Sequence, residues 1–130
     1  MEEKKILIVD DEEAIRELFT AALSYKGYTV FSAESGEKAL ELLDQEDIPV
    51  MFLDLNLPGI NGIDLCRKII KKMPETIAYA VTGFAANYKS AECRTAGFTD
   101  YFAKPLPLEK LYTAAEKGFI DSALPPAVKG

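Results

Sequence analysis

The sequence predicts an α/β domain, a doubly wound parallel sheet of five strands with helices covering both faces. Two observations lead there. Short runs of four to six residues, mostly apolar and rich in β-branched and aromatic side chains, alternate with amphipathic segments along the whole chain. With 130 residues and 14.3 kDa, the chain has the size of one domain and can bury roughly two thirds of its unfolded surface. Alternation of this kind calls for right-handed crossovers and a sheet covered on both sides.

The first run, Ile6-Leu7-Ile8-Val9, is flanked by charge and too short for a helix, so it reads as a buried strand ending at Asp10-Asp11. From Glu12 the period changes to that of a helix, with Ile15, Leu18, Phe19 and Ala22 as its inward stripe and Gly27 as its stop. Tyr28 to Ala33 is the second strand, and Ser35 is placed to cap a helix that turns Ala39, Leu40 and Leu43 inward. Val50-Met51-Phe52-Leu53 repeats the buried pattern and ends at Asp54. Pro58, Gly59 and Asn61-Gly62 then form a turn before a helix striped by Cys66, Ile69, Ile70 and Met73. Ile77 to Val81 is the fourth strand and runs into Thr82-Gly83. A weaker helix with an alanine-rich face follows, from about Ala86 to Ala96, and Gly97 stops it. Asp100 to Ala103 is the fifth strand, broken by Lys104-Pro105, and Leu108, Leu111, Tyr112, Ala115 and Phe119 line the last helix. Residues 1–121 are expected to form the domain and 122–130, with Pro125-Pro126, a tail or linker remnant.

Charge and composition exclude several functions. The 15 basic and 21 acidic residues leave a net charge of −6, the wrong sign for tracking nucleic-acid phosphates. The longest stretch without charge, Thr76 to Tyr88, has 13 residues, short of the roughly 18 that a membrane-spanning helix needs. No secretory signal opens the chain, so a cytoplasmic location is expected. Cys66 and Cys93, 27 positions apart and without companions at metal-ligand spacing, read as reduced packing thiols. The absence of histidine removes Ser-His-Asp chemistry, and the chain cannot itself carry phosphohistidine.

Polar residues end four strands: Asp10-Asp11, Asp54, Thr82 and Lys104. In a parallel sheet these ends share one edge, where doubly wound folds bind their ligands, and by analogy with such folds a strand order of 2-1-3-4-5 puts the crevice between strands 1 and 3. Three carboxylates gathered there repel by about 3 kcal/mol per pair at about 5 Å, which protonation or a bound cation would relieve. Their hard oxygens suit Mg²⁺, which usually keeps waters and awaits phosphate oxygens. An aspartate can itself attack phosphorus, and Lys104 and Thr82 would then stabilise the phosphoryl oxygens. Singly, each residue has a plain reading as a turn former or cap. Together, they point to phosphate chemistry.

The strings L-I-V-D-D-E at Leu7 to Glu12, D-L-N-L-P-G-I-N-G at Asp54 to Gly62, T-G at Thr82-Gly83 and Y-F-A-K-P at Tyr101 to Pro105 resemble the receiver domain of bacterial two-component response regulators. The resemblance runs from about Lys4 to Phe119 and implies a CheY-like, flavodoxin-like (βα)5 fold. It implies Asp54 as phosphoacceptor and Asp11 as a direct Mg²⁺ ligand. Asp10 would act mostly through water, and Asn56 would add its backbone carbonyl. Thr82 matches the switch hydroxyl, Lys104 the lysine of the family, Tyr101 the aromatic switch position, and Pro105 is expected to follow a cis bond. The resemblance places Asn56 and Phe84 at positions that influence how fast phosphate is lost in the family, in a direction the sequence leaves open. The implied partners are a histidine kinase or phosphotransfer domain as donor and an effector that leaves no trace in the sequence. Self-association is left open.

On this reading the chain is a phosphorelay receiver with self-catalysed chemistry, not a dedicated enzyme. The rival is a magnesium-dependent aspartyl-phosphate hydrolase, whose D-x-D-x-T pattern differs from the D-L-N-L-P found here. A flavodoxin-like cofactor carrier would need a glycine-rich loop after strand 1, where Asp10-Asp11-Glu12 stands instead.

Overall fold

A computed structural model describes residues 3–83 and 90–123. The elements are β1 Lys5–Val9, α1 Glu13–Tyr25, β2 Thr29–Ala33, α2 Gly36–Leu43, β3 Val50–Asp54, α3 Gly62–Lys72, β4 Ile77–Thr82, α4 Ser90–Ala96, β5 Asp100–Ala103 and α5 Leu108–Ser122. All five strands are parallel, in the order β2-β1-β3-β4-β5, with Ile6 paired to Val50 and Asp54 to Val81. The predicted doubly wound fold and its strand order are therefore present. Phe84, residues 86–89 of the expected fourth helix and tail residues 124–130 lie outside the described residues. Among those described, no helix is long and apolar enough to cross a membrane.

Alternate residues of the strands feed two cores. Leu7, Met51, Leu53, Ala78 and Ala80 point to the side packed by α2, α3 and α4. Ile6, Ile8, Phe52, Tyr79 and Val81 point to the side packed by α1 and α5. Every residue of β3 and β4 is buried, as expected of central strands covered on both faces. Ser35 caps α2 by accepting from Lys38 N–H at 3.2 Å, and Asn61 caps α3 by accepting from Asp64 N–H at 2.9 Å.

Two helices sit differently from the expected stripes. In α1, Leu23 is fully buried beside Phe19 and Ala22, whereas Leu18 is 48% exposed. A period of 3.6 residues admits both choices, and the rotation of the helix selects Leu23. In α5, Leu108 is exposed in the first turn, and Ala114 and Gly118 complete the buried stripe instead. Gly118 brings α5 so close to the sheet that an added Cβ would lie 3.1 Å from Val50 Cγ1.

Candidate functional site

β1 and β3 are neighbours, so Asp10, one residue beyond β1, and Asp54, the last residue of β3, meet at the carboxyl edge of the sheet. Thr82 ends β4, and Lys104 follows β5. Asp10, Asp54 and Thr82 are buried. The start of α3 presses against the Asp54 peptide: Gly62 N–H donates to Leu55 O at 3.0 Å. A Cβ on Gly62 would collide with the Asp54 carbonyl oxygen and stand 2.7 Å from Leu55 Cα. Glycine is what allows this approach.

Lys104 Nζ lies 2.8 Å from Asp10 Oδ2, 3.2 Å from Asp54 Oδ2 and 3.4 Å from Glu12 Oε1. Its backbone N–H donates to Thr82 O at 2.8 Å, which fastens the lysine to the end of β4. The Lys104-Pro105 peptide is cis. Burial pushes the Asp54 carboxyl above the ordinary carboxylate range and the Asp10 charge adds to the rise, while the Asn56 amide and Lys104 oppose it. For Lys104, burial alone would favour the neutral amine, but the hydrogen bond and charge of Asp10, reinforced by Asp54, outweigh it and the net shift is upward. The acids thus hold the ammonium charged, and the ammonium holds the acids together.

Asn56 connects two site residues. Its N–H donates to Asp54 Oδ1 at 3.0 Å and its side-chain amide to Thr82 Oγ1 at 3.2 Å. With Oδ1 so engaged, Oδ2 is the Asp54 oxygen that faces Lys104. Carboxylate oxygens of Asp10, Asp11 and Glu12 lie within 4.8 Å of one another. Asp10 is buried while Asp11 and Glu12 face solvent, so the cluster has a hydrated mouth. These hard oxygen donors fit a divalent cation such as Mg²⁺. Tyr101 is half-buried on β5 against the core under α4, apart from the acid cluster.

Two contacts escaped the sequence reading. Glu12, noted there only as part of the acidic Asp10-Asp11-Glu12 run, reaches Lys104 from the helix side, and Arg16 Nη1 donates to Asp10 O at 2.8 Å, bracing the turn that carries the acids. Their spacing from Asp10, i+2 and i+6, places both at the start of α1 over the strand end. A charged residue in a first helical turn carries no signal of its own, being there equally often for the helix dipole.

The fold and site define a doubly wound α/β domain with an acidic, lysine-closed crevice at the carboxyl edge of its sheet, where such folds bind their ligands. The response regulator receiver domain model matches residues 6–116. This chain belongs to that family, the receiver domains of two-component response regulators. It is 40% identical over 106 residues to regulatory protein VanR of Enterococcus faecium, covering 81% of this chain and 46% of VanR. It is 31% identical over 118 residues to sporulation initiation phosphotransferase F of Bacillus subtilis, covering 90% and 94% of the two chains. Response regulator TrrA of Thermotoga maritima, solved in complex with Mg²⁺-BeF, superposes with a TM-score of 0.81 at 32% identity, covering 88% of this chain and 98% of that one. The chain spans less than half the length of VanR and several other curated relatives that it matches.

Proposed function

We propose that Asp54 accepts a phosphoryl group from a phosphohistidine on a partner kinase or phosphotransfer domain, and that the resulting charge resets the β4–β5 face for an effector. The observation that carries this reading is the Lys104 ammonium lodged between two buried strand-end carboxylates, 2.8 Å from Asp10 and 3.2 Å from Asp54. In the transfer, Asp54 Oδ2 forms the new P–O bond as the P–N bond of the donor breaks. The electron pair stays on the imidazole nitrogen, which takes a proton from solvent. Lys104 leaves the carboxylate for the phosphoryl oxygens, and the Thr82 hydroxyl offers them its proton. Asp10, Asp11 and Asp54, with the Asn56 carbonyl, would hold Mg²⁺, whose role is to neutralise phosphoryl charge. Because Lys104 N–H is bonded to Thr82 O, a shift of either residue is felt by both strands, and Tyr101 on β5 is the side chain that follows.

The donor is a protein that presents its histidine on a helix. α1 starts at the acid cluster, and its outer face carries Ala14, Leu18, Ala21 and Tyr25, all exposed, at spacings of four, three and four residues. That spacing is the seam of a helix–helix contact. The chain then works as a receiver with self-catalysed transfer and loss of phosphate, without dedicated enzymatic turnover. TrrA binding of Mg²⁺-BeF and the name of the Bacillus phosphotransferase support the reading by likeness.

Incubation with Mg²⁺ and acetyl phosphate, followed by intact-mass measurement, tests it. The expected result is a single adduct with the mass of one phosphoryl group, absent in Asp54→Asn and in the presence of chelator. An adduct that survives Asp54→Asn would sink the assignment.

A further inference from the structure

Cys66 and Cys93 are buried free thiols that take no part in the chemistry above. They lie 27 positions apart in sequence, yet the fold brings them to the same place. α3 and α4 pack against one face of the sheet, and as crossover helices between parallel strands they run in the same direction. A Cβ on Gly97, the residue after α4, would lie 2.7 Å from Ile70 Cγ1, so the end of α4 abuts α3 at Ile70. Four residues back on each helix, about 6 Å along both axes, stand Cys93 and Cys66. Both side chains enter the same core cluster, at 1% and 0% exposure. Burial pushes the Cys66 thiol up to about 12, with a smaller rise from Cys93.

We infer that Cys66 and Cys93 form a redox clasp, a dithiol that closes to a disulfide and ties α4 to α3. The oxidant is a small disulfide. The Cys93 thiolate attacks one of its sulfurs, releasing the first thiolate and leaving a mixed disulfide. Cys66 gives up its proton and displaces the second thiolate, and the two released thiolates take up the two protein protons. The protein loses two electrons and two protons, and the reagent gains them. Cys93 begins the sequence because it sits on the lesser-anchored helix. Among the described side chains of α4, only Cys93 and Ala96 are buried. Burial of both thiols keeps the reduced form inert while α4 is seated. Closure therefore records excursions of α4 and, once made, ends them.

The full chain is treated with excess hydroxyethyl disulfide, unfolded, alkylated and weighed. The expected product is a monomer lighter by two hydrogens that takes up no alkyl group. Its non-reducing peptide map joins the Cys66 and Cys93 peptides, and its melting temperature rises by on the order of 10 °C over the reduced form. Cys93→Ala, treated alike, gives no such gain. Two alkyl groups on the treated monomer, a reagent adduct that persists at Cys93, or cross-linking only between chains would each overturn the clasp.

Discussion

Replacing Lys104 by methionine removes the ammonium and keeps most of its volume. Contacts of 2.8 Å and 3.2 Å to one nitrogen place Asp10 Oδ2 and Asp54 Oδ2 at most 6.0 Å apart, the sum of the two distances. Without the lysine, two buried carboxylates at that separation repel by about 3 kcal/mol at an effective dielectric near 20. The expected consequence at neutral pH is a loss of about 3 kcal/mol, or roughly 2 M in urea midpoint at a slope of about 1.5 kcal/mol/M. The loss carries a pH signature. The Asp54 pKa is already raised in the native state and Lys104 is one of the groups restraining it, so the variant raises it further. A carboxylate with a raised native pKa binds its proton more tightly when folded, so its penalty disappears as pH falls through that value. Urea melts of wild type and Lys104→Met should therefore converge by about pH 4, and millimolar Mg²⁺ should restore the variant at neutral pH. The native pKa of Lys104 is itself raised, so its stabilisation in the wild type is complete below the unfolded value of 10.5 and is lost as pH rises through the native value. Equal midpoints at neutral pH, or a deficit of the same size at every pH, would refute the crowding on which the site rests.

Gly62→Ala should cost about 1–3 kcal/mol or more by chemical denaturation, because the methyl group strikes the Asp54 carbonyl, and it should slow acetyl phosphate labelling by displacing the acceptor. Tyr79→Phe removes the buried hydroxyl that donates to Ala114 O at 2.8 Å and should cost about 1 kcal/mol in urea melts, with labelling unchanged. Leu18→Lys combined with Tyr25→Ala alters side chains 48% and 84% exposed on α1. It should leave labelling by acetyl phosphate intact while lowering transfer from a phosphorylated histidine partner by about tenfold, the effect of about 1.4 kcal/mol of lost contact. Equal loss with both donors would place the defect in the acid site and not in docking.

The strands were the legible part of this sequence. Short apolar runs closed by Asp10, Asp54, Thr82 and Lys104 point to parallel strands, and β3, β4 and β5 begin or end within one residue of their expected limits. That the strand-end side chains share one edge follows from strand direction once the sheet is parallel, whereas the meeting of Asp10 and Asp54 needs β1 beside β3, an order that was taken by analogy. Helix rotation was less legible: Leu18 and Leu23 both satisfy a helical period, and only packing against the sheet decides between them. The contacts of Glu12 and Arg16 were illegible for a related reason. Their contacts with Lys104 and with the Asp10 carbonyl depend on how α1 leaves β1, an angle that no residue pattern encodes. The meeting of Cys66 and Cys93 depends likewise on how two helices lie side by side, and not on the 27 positions between them.

The acids and their counter-ion are mounted on unequal foundations. Asp54 rises from a strand buried at every residue, whereas Lys104 hangs from β5, which among the described residues has a strand neighbour on one side only and no fully buried residue. Any rearrangement of charge in the crevice therefore works against a stiff anvil and a light, hinged arm, and it is the arm that travels. The rim of the molecule becomes the needle of the gauge, legible from outside while the middle of the sheet stays still.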